Sequence, residues 1–255
     1  MALFDTFFTP ARRAFICHSL ELAFAEDGRD VTSEAVFAPE ETTQAEIVAK
    51  EQGILAGIPL IEMVLNHSAP AAGPTWDITV FQPEGAWLFP DQTVARITGQ
   101  TRHLLQTERV ILNFICHLCG IATLTNRYVQ KLGSSPTQLL DTRKTLPGLR
   151  YLEKYAVRLG GGVNHRMDLE EMVMLKDNHI DSAGGISKAV HTIRALYTPC
   201  PPIEVECRNL AEVQEAADAQ VDRIMLDNMP LAELHKALQL IPAGIESELL
   251  FRWAA

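Results

Sequence analysis

Two adjacent cations, Arg143 and Lys144, follow the apolar pair Leu139-Leu140 and Asp141, and a second basic pair, His165-Arg166, follows the glycines Gly160 to Gly162. Lys176-Asp177-Asn178-His179 comes directly after another apolar run, and Glu206 and Asp227 end two later ones. Cations gathered at such loop positions suit an anionic ligand. Guanidinium groups grip carboxylate or phosphate through two parallel hydrogen bonds, and lysines neutralise as point charges. Two carboxylates beside them can hold Mg²⁺ through water, accept hydrogen bonds from sugar hydroxyls, or offset a developing cationic carbon. Neither carboxylate has the Ser, Cys or His spacing of a nucleophilic triad, and no two histidines have zinc-ligand spacing with a third ligand nearby. Electrostatic catalysis on a phosphorylated sugar is therefore expected ahead of covalent or zinc chemistry. The chain as a whole is acidic, with net charge −10 and pI near 5.3, so the cation density is local and a broad nucleic-acid surface is not expected. The triple glycine has two readings, backbone amides open to a ligand or a helix stop.

These residues need a scaffold that brings them to one rim. After Gly133 short apolar runs alternate with helical patterns. Strands are expected at Gln138 to Asp141, Met172 to Lys176, Ile203 to Cys207 and Arg223 to Asp227. Helices are expected at about Gly148 to Leu159, Ile186 to Leu196, Asn209 to Ala219 and Leu231 to Ile241. Such alternation builds a parallel sheet or α/β barrel. Pro147 and Pro230 near helix starts, Asn209 at a cap position and Gly160 after the first helix agree with it. In this frame Arg143-Lys144, Lys176-Asp177, Glu206 and Asp227-Asn228 fall at or just past the C-terminal ends of four strands, where parallel α/β folds assemble their sites.

The half before Gly133 reads as scaffold. An amphipathic helix is expected from Pro10 to about Ala25, then a polar turn at Glu26 to Asp30. Strands are expected at Gln44 to Ala49, Trp76 to Phe81 and Val94 to Thr98, a short helix at Ile58 to Asn66 and a loop at Ser68 to Pro74. Gln100 to Leu132 is the longest helical pattern. Arg109, where its apolar part starts, reads as a solvated basic residue, and its middle reads as buried. Cys116 and Cys119 form a C-x-x-C inside it without a second ligand pair or a thioredoxin-like context, so they and His117 read as structural.

At 255 residues and 28.2 kDa the chain can hold one large α/β domain or two smaller ones. The 5 cysteines are odd in number and irregularly spaced, which argues against a disulfide framework. No uninterrupted apolar run approaches the ~20 residues that cross a bilayer. The N-terminal stretch lacks the order of a secretory signal. A cytoplasmic protein without a membrane partner is expected.

The ordered run Asp141-Thr142-Arg143-Lys144-Thr145, Pro147-Gly148-Leu149-Arg150, Glu153-Lys154-Tyr155-Ala156-Val157, Gly160-Gly161-Gly162, Asn164-His165-Arg166 and Lys176-Asp177-Asn178-His179 resembles the quinolinate phosphoribosyltransferase family. Glu26-Asp27 with Asp30, Thr32 and Ser33, then Leu55-Ala56-Gly57, Glu108-Arg109, Glu204-Val205-Glu206 and Met225-Leu226-Asp227-Asn228-Met229 extend the resemblance over roughly residues 10 to 248. It implies an α/β fold with an N-terminal α/β sandwich domain, residues 1–113, and an incomplete parallel α/β barrel, residues 114–255. It further implies a homodimer with shared sites, the substrates quinolinate and phosphoribosyl pyrophosphate, and Mg²⁺. By motif, Arg143, His165, Arg166 and Lys176 would hold the quinolinate carboxylates, with Lys144 also near the phosphoribosyl ligand. Glu206 and Asp227 would face the ribose and the metal, the latter through water. Lys144, Lys176, Glu206 and Asp227 would be the catalytic set, and Arg109 would reach into the partner's site.

The family continues past IPAGIESE through a segment that holds the ribose 5-phosphate, whereas this sequence ends in LLFRWAA. The expectation is a weakly active or inactive chain with an unpaired sheet edge, unless Leu249, Leu250, Phe251 and Trp253 cover it. A non-catalytic remnant and the related molybdenum-transport-associated homologue are the alternatives, and Lys176-Asp177-Asn178-His179 favours quinolinate over the latter.

Overall fold

The computed structural model describes residues 3–69 and 76–250. Most of the loop expected at Ser68 to Pro74, together with Phe251 and Trp253, lies outside them. The chain divides into two compact units, Met1–His165 and Arg166–Ala255.

The first unit runs α1 (Leu3–Phe7), α2 (Pro10–Asp27), α3 (Val31–Val36), β1 (Thr42–Val48), β2 (Gly53–Ile54), α4 (Ile58–His67), β3 (Asp77–Val80), β4 (Trp87–Leu88), β5 (Thr93–Gln100), α5 (Thr101–Leu132) and α6 (Arg150–Leu159). β5 lies between β1 and β3 in an antiparallel sheet, with Ala45 opposite Ile97, while β2 and β4 form a separate pair. Thr9 caps α2 by accepting from the Arg12 amide at 3.4 Å, and Pro10 follows where an absent N–H costs nothing. Asp30 accepts from the Ser33 amide at 2.9 Å, so the polar turn read after α2 becomes the N-cap of α3. By length and composition alone α5 could cross a membrane, yet it packs on α4, α6 and β2. Its buried face carries Val110, Ile111, Ile115, Leu118 and Ala122, as in a core helix.

The expected full burial of its middle needs correction. Cys116 is exposed, because a helix packed on one side leaves every third or fourth residue outward. Cys119 is partly buried, accepts from the Ala56 amide at 3.2 Å, and its thiol is pushed up to about 11, mainly by burial. This agrees with a structural reading of the pair.

The triple glycine is decided by packing. A Cβ on Gly160 would stand 2.4 Å from the Ala122 carbonyl oxygen, and one on Gly162 would stand 2.7 Å from Val157 Cγ1. Their amides, and that of Gly161, donate to Ala156, Val157 and Arg158 carbonyls at the end of α6. The glycines stop α6 and let it approach α5; they are not amides held open for a ligand.

The second unit runs β6 (Val173–Leu175), α7 (Asp177–Ala183), α8 (Ile186–Leu196), β7 (Ile203–Cys207), α9 (Leu210–Asp218), β8 (Arg223–Asp227), α10 (Leu231–Leu240) and β9 (Glu246–Leu250). Its four strands are parallel in the order β6-β7-β8-β9, part of the expected incomplete barrel. Leu175, Ile203, Val205, Cys207, Ile224 and Leu226 face a core completed by Ile186, Val190, Val213, Ala216 and Leu234 of the helices. Alternation sends Met174, Glu204, Glu206, Arg223, Met225, Asp227 and Glu248 to the opposite face.

Two strand expectations change. Gln138 to Asp141 forms only an isolated parallel bridge, Leu140 with Val163, in the first unit. Two hydrogen bonds, Val163 N to Leu139 O at 2.8 Å and Asp141 N to Val163 O at 3.1 Å, make it. Conversely, Glu246 to Leu250 pairs with β8 along its whole length, so that edge of β8 is not left open.

Candidate active site

In the first unit the cationic loop after Asp141 hangs from α6. Lys154 sits on that helix between Leu152 and Tyr155-Ala156 and is 1% exposed. Its ammonium donates to Asp141 Oδ1 at 2.5 Å and to the His165 carbonyl at 2.8 Å. Asp141 also accepts from the His165 amide at 2.9 Å and from Asn164 Nδ2 at 2.6 Å, and Asn164 donates again to the Lys154 carbonyl at 2.9 Å. A buried ion pair needs further hydrogen bonds to offset its desolvation, and these supply them. One helix turn thereby fixes both the start of the Arg143-Lys144 loop and the backbone of His165.

The loop's far end is held by the neighbouring residue. Glu153 accepts from His117 Nε2 at 2.9 Å and from the Leu146 amide at 3.3 Å. Lys144 N donates to Thr142 Oγ1 at 3.0 Å, which tightens the turn and leaves the Lys144 side chain exposed. Arg143 is half-buried, and its Nε has no hydrogen-bond partner among the described residues. A buried donor without an acceptor is costly, so this guanidinium is set for an anion.

α6 itself is clamped from below. Tyr155, fully buried, donates to Glu84 Oε1 at 2.9 Å, and Glu84 accepts from the Gly57 and Ile58 amides at 2.7 and 2.9 Å. Burial raises the Glu84 carboxyl above the ordinary carboxylate range, against the pull of those three donors. Burial, with the nearby Glu84 charge, also raises the Tyr155 phenol. Phe4, Phe7 and Phe8, in and just after α1, surround the Tyr155 ring at centroid distances of 5.6, 5.6 and 5.2 Å. Arg109 belongs to neither arrangement. It is exposed on α5, and no described residue holds its side chain by a hydrogen bond or ion pair.

In the second unit Lys176, Glu206 and Asp227 occupy the C-terminal ends of β6, β7 and β8 on one face, as the sequence predicted. Lys176 Nζ stands 3.6 Å from Glu206 Oε2, with Lys176 about half exposed and Glu206 largely covered. Asp227 Oδ1 accepts from Asn228 Nδ2 at 2.7 Å, and Asn228 has φ +51, so the chain turns sharply just past the strand. Arg166 donates to the Met172 carbonyl at 2.7 Å and lies 3.6 Å from Met174 Sδ, which aligns it beside the start of β6. Arg208, one residue past β7, pairs with Asp181 at 2.9 Å and Glu212 at 2.6 Å. These pairs tie α7 and α9 to the strand that carries Glu206.

The sequence reading found the ligand-type residues but assigned no role to their supports, Asp141, Glu153, Lys154 and Asn164. No local signal marked Lys154, which shares its face of α6 with Arg150 and Arg158 and so reads as solvated.

The family model for the quinolinate phosphoribosyl transferase C-terminal domain matches residues 121–251, and that for the N-terminal domain matches residues 30–119. The chain is 45% identical over 223 residues to a probable carboxylating nicotinate-nucleotide pyrophosphorylase of Synechocystis sp., covering 87% of this chain and 74% of the relative. It is 40% identical over 222 residues to the corresponding Bacillus subtilis protein, covering 86% and 74%. Among solved structures it resembles NadC from Streptococcus pyogenes with a TM-score of 0.88 and 39% identity, covering 97% of this chain and 86% of that one.

Proposed function

The chain belongs to the quinolinate phosphoribosyltransferase family, and from that premise we infer that it transfers phosphoribosyl from phosphoribosyl pyrophosphate to quinolinate in NAD biosynthesis. The quinolinate ring nitrogen forms a bond to ribose C1 as the bond from C1 to pyrophosphate oxygen breaks. The 2-carboxylate then leaves as carbon dioxide, and the electron pair left on the ring takes a proton, giving nicotinate mononucleotide. The enzyme class is that of a carboxylating nicotinate-nucleotide pyrophosphorylase, a pentosyltransferase.

In this reading Arg143, His165, Arg166 and Lys176 hold the two carboxylates of the acid, and Lys144 lies between acid and phosphoribosyl ligand. Glu206 and Asp227 face the ribose, where a carboxylate steadies the positive charge that gathers at C1 as pyrophosphate departs. No side chain needs to attack; positioning and charge supply the rate. The observation that carries the acid-binding half is the buried Arg143 Nε without an acceptor among the described residues. Glu206 and Asp227 present hard oxygen donors on one sheet face, the donor type that Mg²⁺ accepts through its waters. When bound, Mg²⁺ supplies neutralising charge for the pyrophosphate.

We also assign the chain a homodimer and a cytoplasmic location. Support for the dimer comes from α5, where Leu105, Arg109, Asn113, Cys116 and Leu124 recur along one exposed face. A groove of about 480 Å³ runs beside it, walled by Phe15, Leu22, Phe114 and Leu149. Arg109 on this face would complete the partner's site.

Calorimetric titration of quinolinate and of phosphoribosyl pyrophosphate, with product detection, tests the reading. Binding of both with formation of nicotinate mononucleotide is expected, with Arg143→Ala weakening quinolinate binding roughly 10- to 100-fold. Quinolinate binding without any phosphoribosyl pyrophosphate binding or product would sink it. Mixing Arg109→Ala with Lys176→Ala protein should restore part of the activity if the sites are shared between subunits.

A further inference from the structure

Lys176 occupies a position that local energetics disfavour. It is the N-cap of α7, a helix of 7 residues, and places an ammonium at the end where the helix dipole is positive. It also lacks the side-chain oxygen with which Ser, Thr, Asp or Asn would satisfy the first free amides. Residues that break a local rule in this way mark functional positions, and something nearby has to compensate.

The compensation comes from His179. Its Nδ1 accepts from the Lys176 amide at 3.1 Å, while the Lys176 carbonyl accepts from the His179 and Ile180 amides, each at 2.9 Å. An ordinary capping box pairs a Ser or Thr cap with a Glu or Gln three residues on. Here the cap residue cannot accept, so only the reciprocal half forms, and an imidazole supplies it. Both polar groups of the Lys176 peptide are thereby held. Ile180, next in the chain and 4% exposed, roots His179 in the core, and Asp181 is bound by Arg208. Lys176 extends from this fixed backbone with Nζ 3.6 Å from Glu206 Oε2.

We propose that His179 is a positioning residue for Lys176: by accepting the Lys176 amide hydrogen it fixes the backbone from which the ammonium is aimed at the anionic ligand. The inference rests on the reading of Lys176 as an acid-binding residue. It gives the fourth residue of Lys176-Asp177-Asn178-His179 a role: its Nδ1 reaches back across one helical turn to the Lys176 amide while the ring stays outside.

Quinolinate binding by calorimetry, with unfolding midpoints, is to be compared for the wild type, Lys176→Ala, His179→Leu, His179→Gln and the double variant Lys176→Ala/His179→Leu. His179→Leu is expected to weaken binding about five- to tenfold, the scale of a lost cap. His179→Gln, whose Oε1 can accept the same amide hydrogen, should recover most of that loss. In the Lys176→Ala background the Leu substitution should cost nothing further. Wild-type binding by His179→Leu, equal impairment of Leu and Gln variants, or full additivity in the double variant would each overturn the proposal. Unchanged binding by Lys176→Ala overturns the assignment of Lys176 itself, which separates that failure from a failure of His179.

Discussion

Arg143 and His165 are presented by a buried ion pair, Lys154 with Asp141, whose members are 1% and 8% exposed, whereas Lys176 is presented at the exposed head of a short helix and faces Glu206 at 3.6 Å. The buried pair sets its geometry before any ligand arrives, because Asp141 accepts from Lys154, Asn164 and the His165 amide, and Lys154 also donates to the His165 carbonyl. The Lys176–Glu206 contact is longer, and Lys176 is about half exposed, so water screens it and it holds the ammonium less firmly. The first unit thus holds its cation-bearing loop rigidly, and the second presents Lys176 with more freedom.

Four measurements test that contrast, from the largest expected effect to the smallest. Lys154→Met leaves the Asp141 carboxylate buried without its cation and should lower stability by about 3–5 kcal/mol in urea unfolding, the scale for breaking a buried pair. A midpoint near wild type would remove the distinction between the two regions. Gly160→Ala should lower stability by about 1–3 kcal/mol, because the added methyl meets the Ala122 carbonyl and forces α6 away from α5. If the loop hangs from α6, the same variant also weakens quinolinate binding.

Glu84 adds a pH-dependent effect. Its folded carboxyl is raised by burial, so its favourable contribution is complete below the ordinary carboxylate range and is lost as pH rises through the folded value. Stability of the wild type relative to Glu84→Gln should therefore fall as pH rises above the ordinary carboxylate range. A difference that is flat or rises with pH there would show that the three hydrogen bonds outweigh burial. Arg208→Ala, which removes pairs of a solvent-accessible guanidinium with Asp181 and Glu212, should leave the unfolding midpoint close to that of the wild type. A fall as large as that of Lys154→Met would mean that the second rim is as rigid as the first.

Much of the second unit was legible in the sequence. β7 and β8 fall on the expected residues because short strand-like runs between helical patterns read the same way locally and in the sheet. α5 and α8 follow their 3.6-residue periodicity in the same manner. The short pieces were less legible. α1, β2 and β4 hold too few residues to show a period, and their pairing depends on Tyr155 and on one another. The stretch from Gln138 to Asp141 looks like a strand, yet only Leu140 finds a bridge partner, because strand formation requires an adjacent edge and not merely an apolar run.

The sequence by itself determined the family, the alternation of strands and helices, and the residue types Arg143 and Lys144 in the first unit and Lys176, Glu206 and Asp227 at the strand ends of the second. These are properties of single residues and of short repeats, which a linear reading can carry. Only the tertiary structure decided that the glycines at 160 to 162 serve packing, that Lys154 is buried, and that Asp141 joins it to Asn164 and His165. Lys154, Asn164 and His165 lie 13, 23 and 24 positions from Asp141, and no local period links them to it. A lysine and an aspartate that distant become a pair only when burial removes the water each would otherwise keep.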